Sequence, residues 1–139
     1  MLVICEMKRV LVFGTFDGLH PGHINFFEQA KRLGNKLIVV VGRDETVLKV
    51  KGRLPKNNEN CRLAEVEKSG LVDEVRLGNL GDPYAVIKQI QPDIIALGYD
   101  QNSFTRNLPE FIKKEHLNIE IVCLKAFKPM IYKSSLIRK

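Results

Sequence analysis

Apolar runs alternate with amphipathic segments along most of this 139-residue chain. The apolar runs are short and bounded by turn residues, and the central ones are nearly continuous, as in parallel strands covered on both faces. They predict five strands, at Arg9–Phe13, Lys36–Val41, Glu74–Leu77, Asp93–Leu97 and Glu120–Leu124. Since the intervening segments have helical spacing, the pattern predicts an α/β doubly wound parallel sheet with helices on both faces and right-handed crossovers.

Four helices are predicted between these strands. The first has an apolar face that ends at a glycine stop, and its residues are Ile24, Phe27, Ala30, Leu33 and Gly34. The second is predicted over Asn60–Ser69, with Leu63 and Val66 inward and Gly70 at its end. The third begins at Asp82-Pro83 and runs to Ile90, and the fourth covers Leu108–His116. The polar segment Gly52–Glu59 is predicted to be a loop.

Length and composition fit one soluble domain over residues 1–139, with 45% apolar and 27% charged residues. No apolar run approaches the ~20 residues that span a bilayer, so no membrane partner is expected. Met1–Met7 lacks a basic start and a long apolar stretch, which predicts no signal peptide and a cytoplasmic location. The three cysteines are scattered, which favours small buried thiols over a disulfide framework or a zinc site: Cys5, Cys61 and Cys123.

The net charge of +6 indicates an anionic partner. The basic residues are dispersed, and only Lys49, Lys51 and Arg53 cluster. No continuous basic stripe is interleaved with aromatic residues, which argues against nucleic acid. A basic cluster near a glycine turn serves a phosphorylated small molecule equally well.

The most informative segment is Gly-Thr-Phe-Asp-Gly-Leu-His-Pro-Gly-His, residues 14–23, directly after the first predicted strand. The spacing of His20 and His23 lets both rings point the same way at the mouth of a helix. Unpaired N–H groups and a partial positive charge at that helix end favour a phosphate, and imidazoles beside it would donate hydrogen bonds to its oxygens. Two alternatives remain open from the residues alone: surface or capping histidines, and a zinc pair, for which no third ligand is evident.

Glycines in the same segment, Gly14, Gly18 and Gly22, are expected to let the backbone approach a ligand closely. They are spaced four apart, so the dinucleotide-binding spacing is absent, as is the phosphate-loop pattern that ends in Gly-Lys-Ser/Thr.

The segment closely resembles the HxGH signature of the cytidylyltransferase-like nucleotidyltransferases, which implies a Rossmann-like five-stranded sheet. The resemblance extends over almost the whole chain, through Val41–Val47, Asn60–Glu65, Leu97–Gln101 and Ser134–Ile137. Within the family, Arg-Asp-Glu-Thr-Val and Leu-Gly-x-Asp-Gln are most similar to the small archaeal FAD synthases. The chain departs from some of those proteins in stopping shortly after Ser135, which implies a short final helix, and in lacking tail cysteines.

The resemblance implies transfer of AMP from ATP to the phosphate of FMN, giving FAD and pyrophosphate. Two alternatives are a cytidylyltransferase that uses CTP and glycerol 3-phosphate or another small phosphorylated alcohol or sugar, and a catalytically inactive nucleotide-binding sensor. A divalent ion such as Mg²⁺ is expected to arrive with the nucleotide, without protein ligands, and the protein is expected to form a homodimer.

The resemblance also implies roles for individual residues. His20 and His23 would be catalytic and hold the nucleotide phosphates, and Lys51, or less favourably Lys49, would reach those phosphates from the loop. Arg62 would contact pyrophosphate or the acceptor phosphate. The other nucleotide-binding residues would be Gly14, Thr15, Phe16, Pro21, Gly22, Asp100, Ser134 and Ser135. The alternatives are solvated charges for the lysines and Arg62, and helix or turn capping for Asp100 and the serines.

Two further expectations concern the surroundings of this site. Asp17 is expected to brace the turn and not to bind metal. Four aromatic residues are candidates for a flavin pocket, with a place in the core as the alternative: Phe104, Phe111, Phe127 and Tyr132.

Overall fold

The structure, a computed structural model, describes residues 8–79, 84–98 and 107–124. Its five strands are β1 (Arg9–Gly14), β2 (Lys36–Val41), β3 (Glu74–Leu77), β4 (Ile94–Leu97) and β5 (Glu120–Cys123). All pairings are parallel, and the order across the sheet is β3-β2-β1-β4-β5. The predicted α/β class and all five strands are confirmed, with ends that differ by one residue at most.

Five helices are described, and they cover both faces of the sheet. They are α1 (Pro21–Lys31), α2 (Asp44–Lys51), α3 (Glu59–Lys68), α4 (Ala85–Ile90) and α5 (Leu108–Lys114). The start predicted for α4 at Asp82-Pro83 lies outside the described residues. The last helix ends two residues before the predicted His116, which adopts a left-handed conformation with φ of 56°.

The hydrophobic core has two parts, one on each face of the sheet. On one face, side chains of α1 and α3 such as Phe27 and Val66 pack against Val12 and Val39. On the other face, side chains of α4 and α5 such as Ile87 pack against Leu11. Because β2 is covered on both sides, every residue from Leu37 to Val41 is buried, which explains its uninterrupted apolar sequence.

Helix α2 corrects the sequence prediction, which placed only a turn after β2. Its first turn carries Asp44 and Glu45 and its last turn carries Lys49 and Lys51, an arrangement that complements the helix dipole. Gly52, with φ of 77°, ends the helix. Among the side chains described in this helix only Val47 is buried, so the segment lacks the apolar stripe by which helices are recognised in a sequence.

Two expectations about buried side chains were wrong. On α3, Val66 enters the core as predicted, but Leu63 is only half-buried and Arg62 is completely buried in its place. Cys61 and Cys123 are free thiols, as expected, yet both are exposed.

The strand order places a topological switch beside β1. The chain moves outward from β1 to β2 and β3, then returns to β4 on the other side of β1. In open α/β sheets, ligands bind at the carboxyl ends of the strands at such a point. The segment that follows β1 is therefore the part of the fold where a site is expected.

No helix within the described ranges is long and apolar enough to cross a membrane.

Candidate active site

The turn from β1 into α1 brings His20 and His23 face to face. Their ring centroids are 3.8 Å apart and the ring planes are inclined by 28°. His20 is the N-cap of α1, and its Nδ1 accepts a hydrogen bond from the Gly22 N–H at 3.0 Å. His23 Nδ1 in turn accepts from the His20 N–H at 3.3 Å, which completes a reciprocal capping box. The prediction that both rings share one helix mouth is confirmed.

These two hydrogen bonds also assign the proton of each neutral ring. A neutral imidazole carries one N–H, and the nitrogen that accepts a hydrogen bond cannot be the one that carries it. Because Nδ1 is the acceptor in both His20 and His23, the proton lies on Nε2 in each. Nε2 of each neutral ring is therefore the nitrogen that can donate to an anionic oxygen. Capping and phosphate binding are thus compatible functions of different atoms of the same rings.

Gly14 and Gly22 make room for side chains of the site itself. The expected close approach of the backbone to a ligand stays a prediction. A Cβ atom on Gly14 would lie 2.5 Å from Cζ of Phe16. A Cβ atom on Gly22 would lie 2.8 Å from Cε1 of His20. Pro21 occupies the first turn of α1, where its missing N–H leaves no donor unpaired.

Phe16 connects the hydrophobic core to the histidine pair. Its side chain is buried, its ring contacts that of Phe27 with centroids 5.1 Å apart, and it meets His23 edge-on at 5.4 Å. Its φ of 53° lies in the left-handed region, which few residues with a side chain adopt. The Phe16 ring thus supports His23 from below, although the sequence assigned this residue only a backbone contact.

Asp17 joins the β1–α1 turn to the loop between α2 and α3. Its carboxylate accepts hydrogen bonds from the Lys56 N–H at 2.7 Å, the Asn57 N–H at 3.0 Å and the Asn57 side-chain amide at 2.9 Å. The prediction that Asp17 braces the turn is confirmed. The backbone hydrogen bond from Lys56, with those from Asn57, holds the pKa of Asp17 below its usual value.

This lowered pKa predicts a pH-dependent effect of Asp17→Asn. The stabilisation by Asp17 is present above the unfolded-state pKa of about 3.9 and is lost as pH falls through the lower folded-state pKa. We expect Asp17→Asn to lower the free energy of unfolding at pH 7, and we expect the difference from the wild type to disappear as pH falls through the folded-state pKa, measured by urea unfolding. Trypsin should also cleave faster after Lys56 at pH 7, because the loop is released.

The matched control for this variant is Glu115→Gln. Glu115 also has a lowered pKa, caused by its hydrogen bond with Lys88, but it lies after α5. We expect its loss to leave cleavage after Lys56 unchanged. Equal cleavage rates in Asp17→Asn and the wild type would contradict the bracing role.

Arg62 does not lie where either sequence interpretation placed it. The expected phosphate contact and the alternative surface charge both need an accessible guanidinium, and Arg62 has no exposed surface. Its Nη1 donates to the Thr15 carbonyl at 2.9 Å and its Nη2 lies 2.6 Å from Asp44 Oδ1. In this arrangement the side chain supports the β1–α1 turn from beneath, and its guanidinium has no exposed surface for a phosphate to contact.

The remaining predicted site residues are only partly described. Lys49 and Lys51 are exposed in the last turn of α2, and not in the loop from which Lys51 was expected to reach. Phe111 is half-buried and packs against the core, with its ring centroid 4.8 Å from that of Tyr84, which agrees with the core alternative for this residue. The others lie outside the described residues: Asp100, Phe104, Phe127, Tyr132, Ser134 and Ser135.

The sequence interpretation missed the carboxylates that organise this end of the sheet. Asp44 and Glu59 are the first residues of α2 and α3, and each accepts a hydrogen bond from the other's backbone N–H. Arg43 bonds to both Glu59 and the Gly78 carbonyl. Acidic residues at two helix starts were visible in the sequence, but nothing in their spacing indicated that they meet.

The histidine pair at the carboxyl end of β1 lies within the part of the chain that matches a known protein family. A model described as cytidylyltransferase-like matches residues 11–139. The chain belongs to the cytidylyltransferase-like family. The family predicted from the HxGH segment is thereby confirmed.

Individual relatives of this cytidylyltransferase-like protein cover most of its length. An FAD synthase of Thermoplasma volcanium is 39% identical over 133 residues, which are 96% of this chain and 93% of the relative. An FAD synthase of Archaeoglobus profundus is 44% identical over 130 residues, which are 93% of this chain and 82% of the relative. The predicted similarity to archaeal FAD synthases is confirmed.

Solved structures agree on the fold. The crystal structure of a lipopolysaccharide core biosynthesis protein from Thermoplasma volcanium matches with a TM-score of 0.82 and 39% identity, covering 88% of this chain and 100% of that chain. A pantoate–β-alanine ligase from Francisella tularensis matches with a TM-score of 0.62, covering 88% of this chain and 60% of that one. At 15% identity, the ligase supports the fold alone.

Proposed function

We propose that the protein is an FMN adenylyltransferase that transfers AMP from ATP to the phosphate of FMN and releases pyrophosphate. The observation that carries this proposal is the stacked histidine pair at the N-terminus of α1, in which Nδ1 of each ring accepts a backbone hydrogen bond. FAD synthases 39% and 44% identical over more than nine-tenths of this chain support FMN as the acceptor.

The proposed reaction is an in-line displacement at the α-phosphorus of ATP. A phosphate oxygen of FMN forms the new bond to phosphorus, and the bond from phosphorus to the α,β-bridging oxygen breaks. Pyrophosphate leaves with that electron pair. The attacking phosphate is already an anion at neutral pH, so the protein needs no general base, and catalysis depends on positioning and charge stabilisation.

The histidines fit this requirement as hydrogen-bond donors. The Nε2–H groups of His20 and His23 donate to nucleotide phosphate oxygens and stabilise the charge that grows in the transition state. The N-terminus of α1 adds a favourable field for the same charge. Lys51 and Lys49 remain candidates for further phosphate contacts, and Asp100, Ser134 and Ser135 remain candidates for nucleotide contacts.

Divalent metal is proposed to enter with the nucleotide. Within the described ranges, no three side chains of His, Cys, Asp or Glu converge as a metal-binding group. The carboxylates beside the β1–α1 turn already accept hydrogen bonds from the protein. Asp17 accepts three, and Asp44 accepts one from Arg62. Nucleotide phosphates and water are proposed to supply the ligands of Mg²⁺, which commonly keeps several waters. The bound ion would neutralise phosphate charge.

A matrix of substrates tests the proposal directly. The purified protein is incubated with ATP or CTP, each with FMN or glycerol 3-phosphate, and both pyrophosphate and the nucleotidyl product are measured. We expect FAD and pyrophosphate in equal amounts from ATP and FMN only. Product formed with CTP but not with ATP would identify a cytidylyltransferase. Nucleotide binding without product from any pair would identify a sensor.

The expected homodimer and cytoplasmic location belong to the same proposal. Sedimentation of the purified protein measures the oligomeric state. A monomeric enzyme with full activity would contradict the proposed homodimer.

A further inference from the structure

Arg62 is a buried cation whose partners fix its position. It is the only buried polar or charged side chain among the described residues. Besides Asp44 and the Thr15 carbonyl, it contacts the Asn57 carbonyl, to which Nε donates at 3.0 Å. An isolated buried charge is costly, so the guanidinium is held where all three acceptors can be reached.

The partner carboxylate of Arg62 is itself held rigidly. The Asp44 N–H donates to Glu59 Oε1 at 2.9 Å, and the Glu59 N–H donates to Asp44 Oδ2 at 3.2 Å. Arg43 Nη1 lies 3.1 Å from Glu59 Oε2, and Arg43 Nε donates to the Gly78 carbonyl at 2.8 Å. Arg62 is therefore braced by the segments that follow both β2 and β3.

The hydrogen bond from Arg62 to Thr15 orients the next peptide group. The described chain has no cis peptide bonds, so the Phe16 N–H points in the opposite direction to the Thr15 carbonyl, away from the guanidinium. In the ranges that the structure describes, no group accepts a hydrogen bond from this N–H. A backbone donor in a turn with positive φ is a typical anion-binding element, and Phe16 and Gly18 both have positive φ.

We propose that Arg62 is a positioning residue that aims the Phe16 N–H at a phosphate of the bound nucleotide without touching the substrate. The inference rests on the proposed function, since it takes nucleotide phosphates to lie between this turn and the histidines. The left-handed φ of Phe16 costs free energy and persists only where surrounding contacts enforce it. The Arg62–Thr15 bond is such a contact.

Arg62→Lys separates this role from a purely structural one. Lysine keeps the charge but lacks the planar fork that reaches Asp44 and Thr15 together. We expect the KM for ATP to rise about tenfold, as for loss of one hydrogen bond to a charged group, while the KM for FMN changes less than twofold. The control is Arg9→Lys, in which an arginine that donates to the Ile90 carbonyl at 2.5 Å, at the opposite end of β1, is replaced. Its kinetics should match the wild type.

Hydrogen exchange of the Phe16 amide provides a second readout that needs no turnover. We expect saturating ATP with Mg²⁺ to slow exchange of this amide in the wild type and in Arg9→Lys. The protection should be largely lost in Arg62→Lys. Asp44→Asn, which keeps the shape but removes the charge that anchors Arg62, should show a smaller loss, and it provides the test if Arg62→Lys does not fold.

Each result decides between defined alternatives. Normal ATP kinetics and normal Phe16 protection in Arg62→Lys, or normal protection in Asp44→Asn, would overturn the inference and leave Arg62 a role in stability only. A rise confined to the KM for FMN would also overturn it, because Arg62 would then act on the acceptor. If the wild type makes no FAD but ATP still protects the Phe16 amide, the proposed acceptor fails and the inference stands.

Discussion

Replacing His20 with asparagine is expected to lower turnover about a hundredfold, as for loss of one transition-state donor, with little change in stability. Asparagine is among the best N-cap residues, so it can accept the hydrogen bond from the Gly22 N–H that His20 Nδ1 accepts now. His23→Gln is the equivalent change at the second position, because glutamine in the third helical position closes a capping box. Steady-state FAD formation and urea unfolding measure the two effects separately.

These substitutions distinguish catalysis from capping more sharply than alanine does. We expect His20→Ala and His23→Ala to lose turnover to a similar degree, but they also remove a helix cap. His116→Asn is the control, since it removes an exposed histidine from a left-handed position that asparagine tolerates. Near-normal turnover in both capping-competent variants would mean that the histidines only cap α1.

Gly14→Ala is expected to destabilise the protein by about 1–3 kcal/mol, the usual cost of overpacking a filled core. The new methyl group would lie 2.5–2.9 Å from three atoms of the Phe16 ring, which is too close for the ring to stay in place. Because that ring supports His23, turnover should fall as well. Urea unfolding and FAD formation under conditions where the variant remains folded measure the two losses.

Gly42 provides the matched control for Gly14. It follows β2, and its N–H donates to the Gly14 carbonyl at 2.9 Å, so the two glycines are neighbours across the sheet. A Cβ atom at Gly42 would come no closer than 3.5 Å to Val47, which is ordinary contact. Gly42→Ala should therefore retain stability and turnover. Equal losses in both variants would show that any side chain at this edge is harmful, whatever it meets.

The strands were predictable because burial on both faces leaves a local signature in the sequence. Leu37–Val41 is apolar at every position, and the sheet buries it at every position. The histidine pair was predictable for a similar reason: two rings three residues apart at a helix start are neighbours by local geometry alone. Asp17 was likewise correctly assigned to bracing the turn.

Arg62 shows where sequence reasoning ends. An amphipathic pattern places an arginine outside a helix, and only a partner distant in the chain can reverse that preference. Its partners Thr15 and Asp44 lie 47 and 18 residues away, so no local pattern predicts the contact. The need for glycine at position 14 was equally unpredictable, because it depends on where the Phe16 ring lies. Helix α2 was missed because, among its described side chains, only Val47 is buried, so no apolar stripe marks it.

The division of the core between two sheet faces has a consequence for synthesis on the ribosome. The chain up to Leu77 contains β1, β2 and β3 together with the helices that cover one face. The other face of these strands is covered by α4 and α5, which are translated later. Its buried residues include Leu11, Phe13, Ile38 and Val40. A nascent chain that ends after β3 therefore exposes apolar sheet residues until the later helices are made, although the described contacts that hold the β1–α1 turn all lie within residues 15–62.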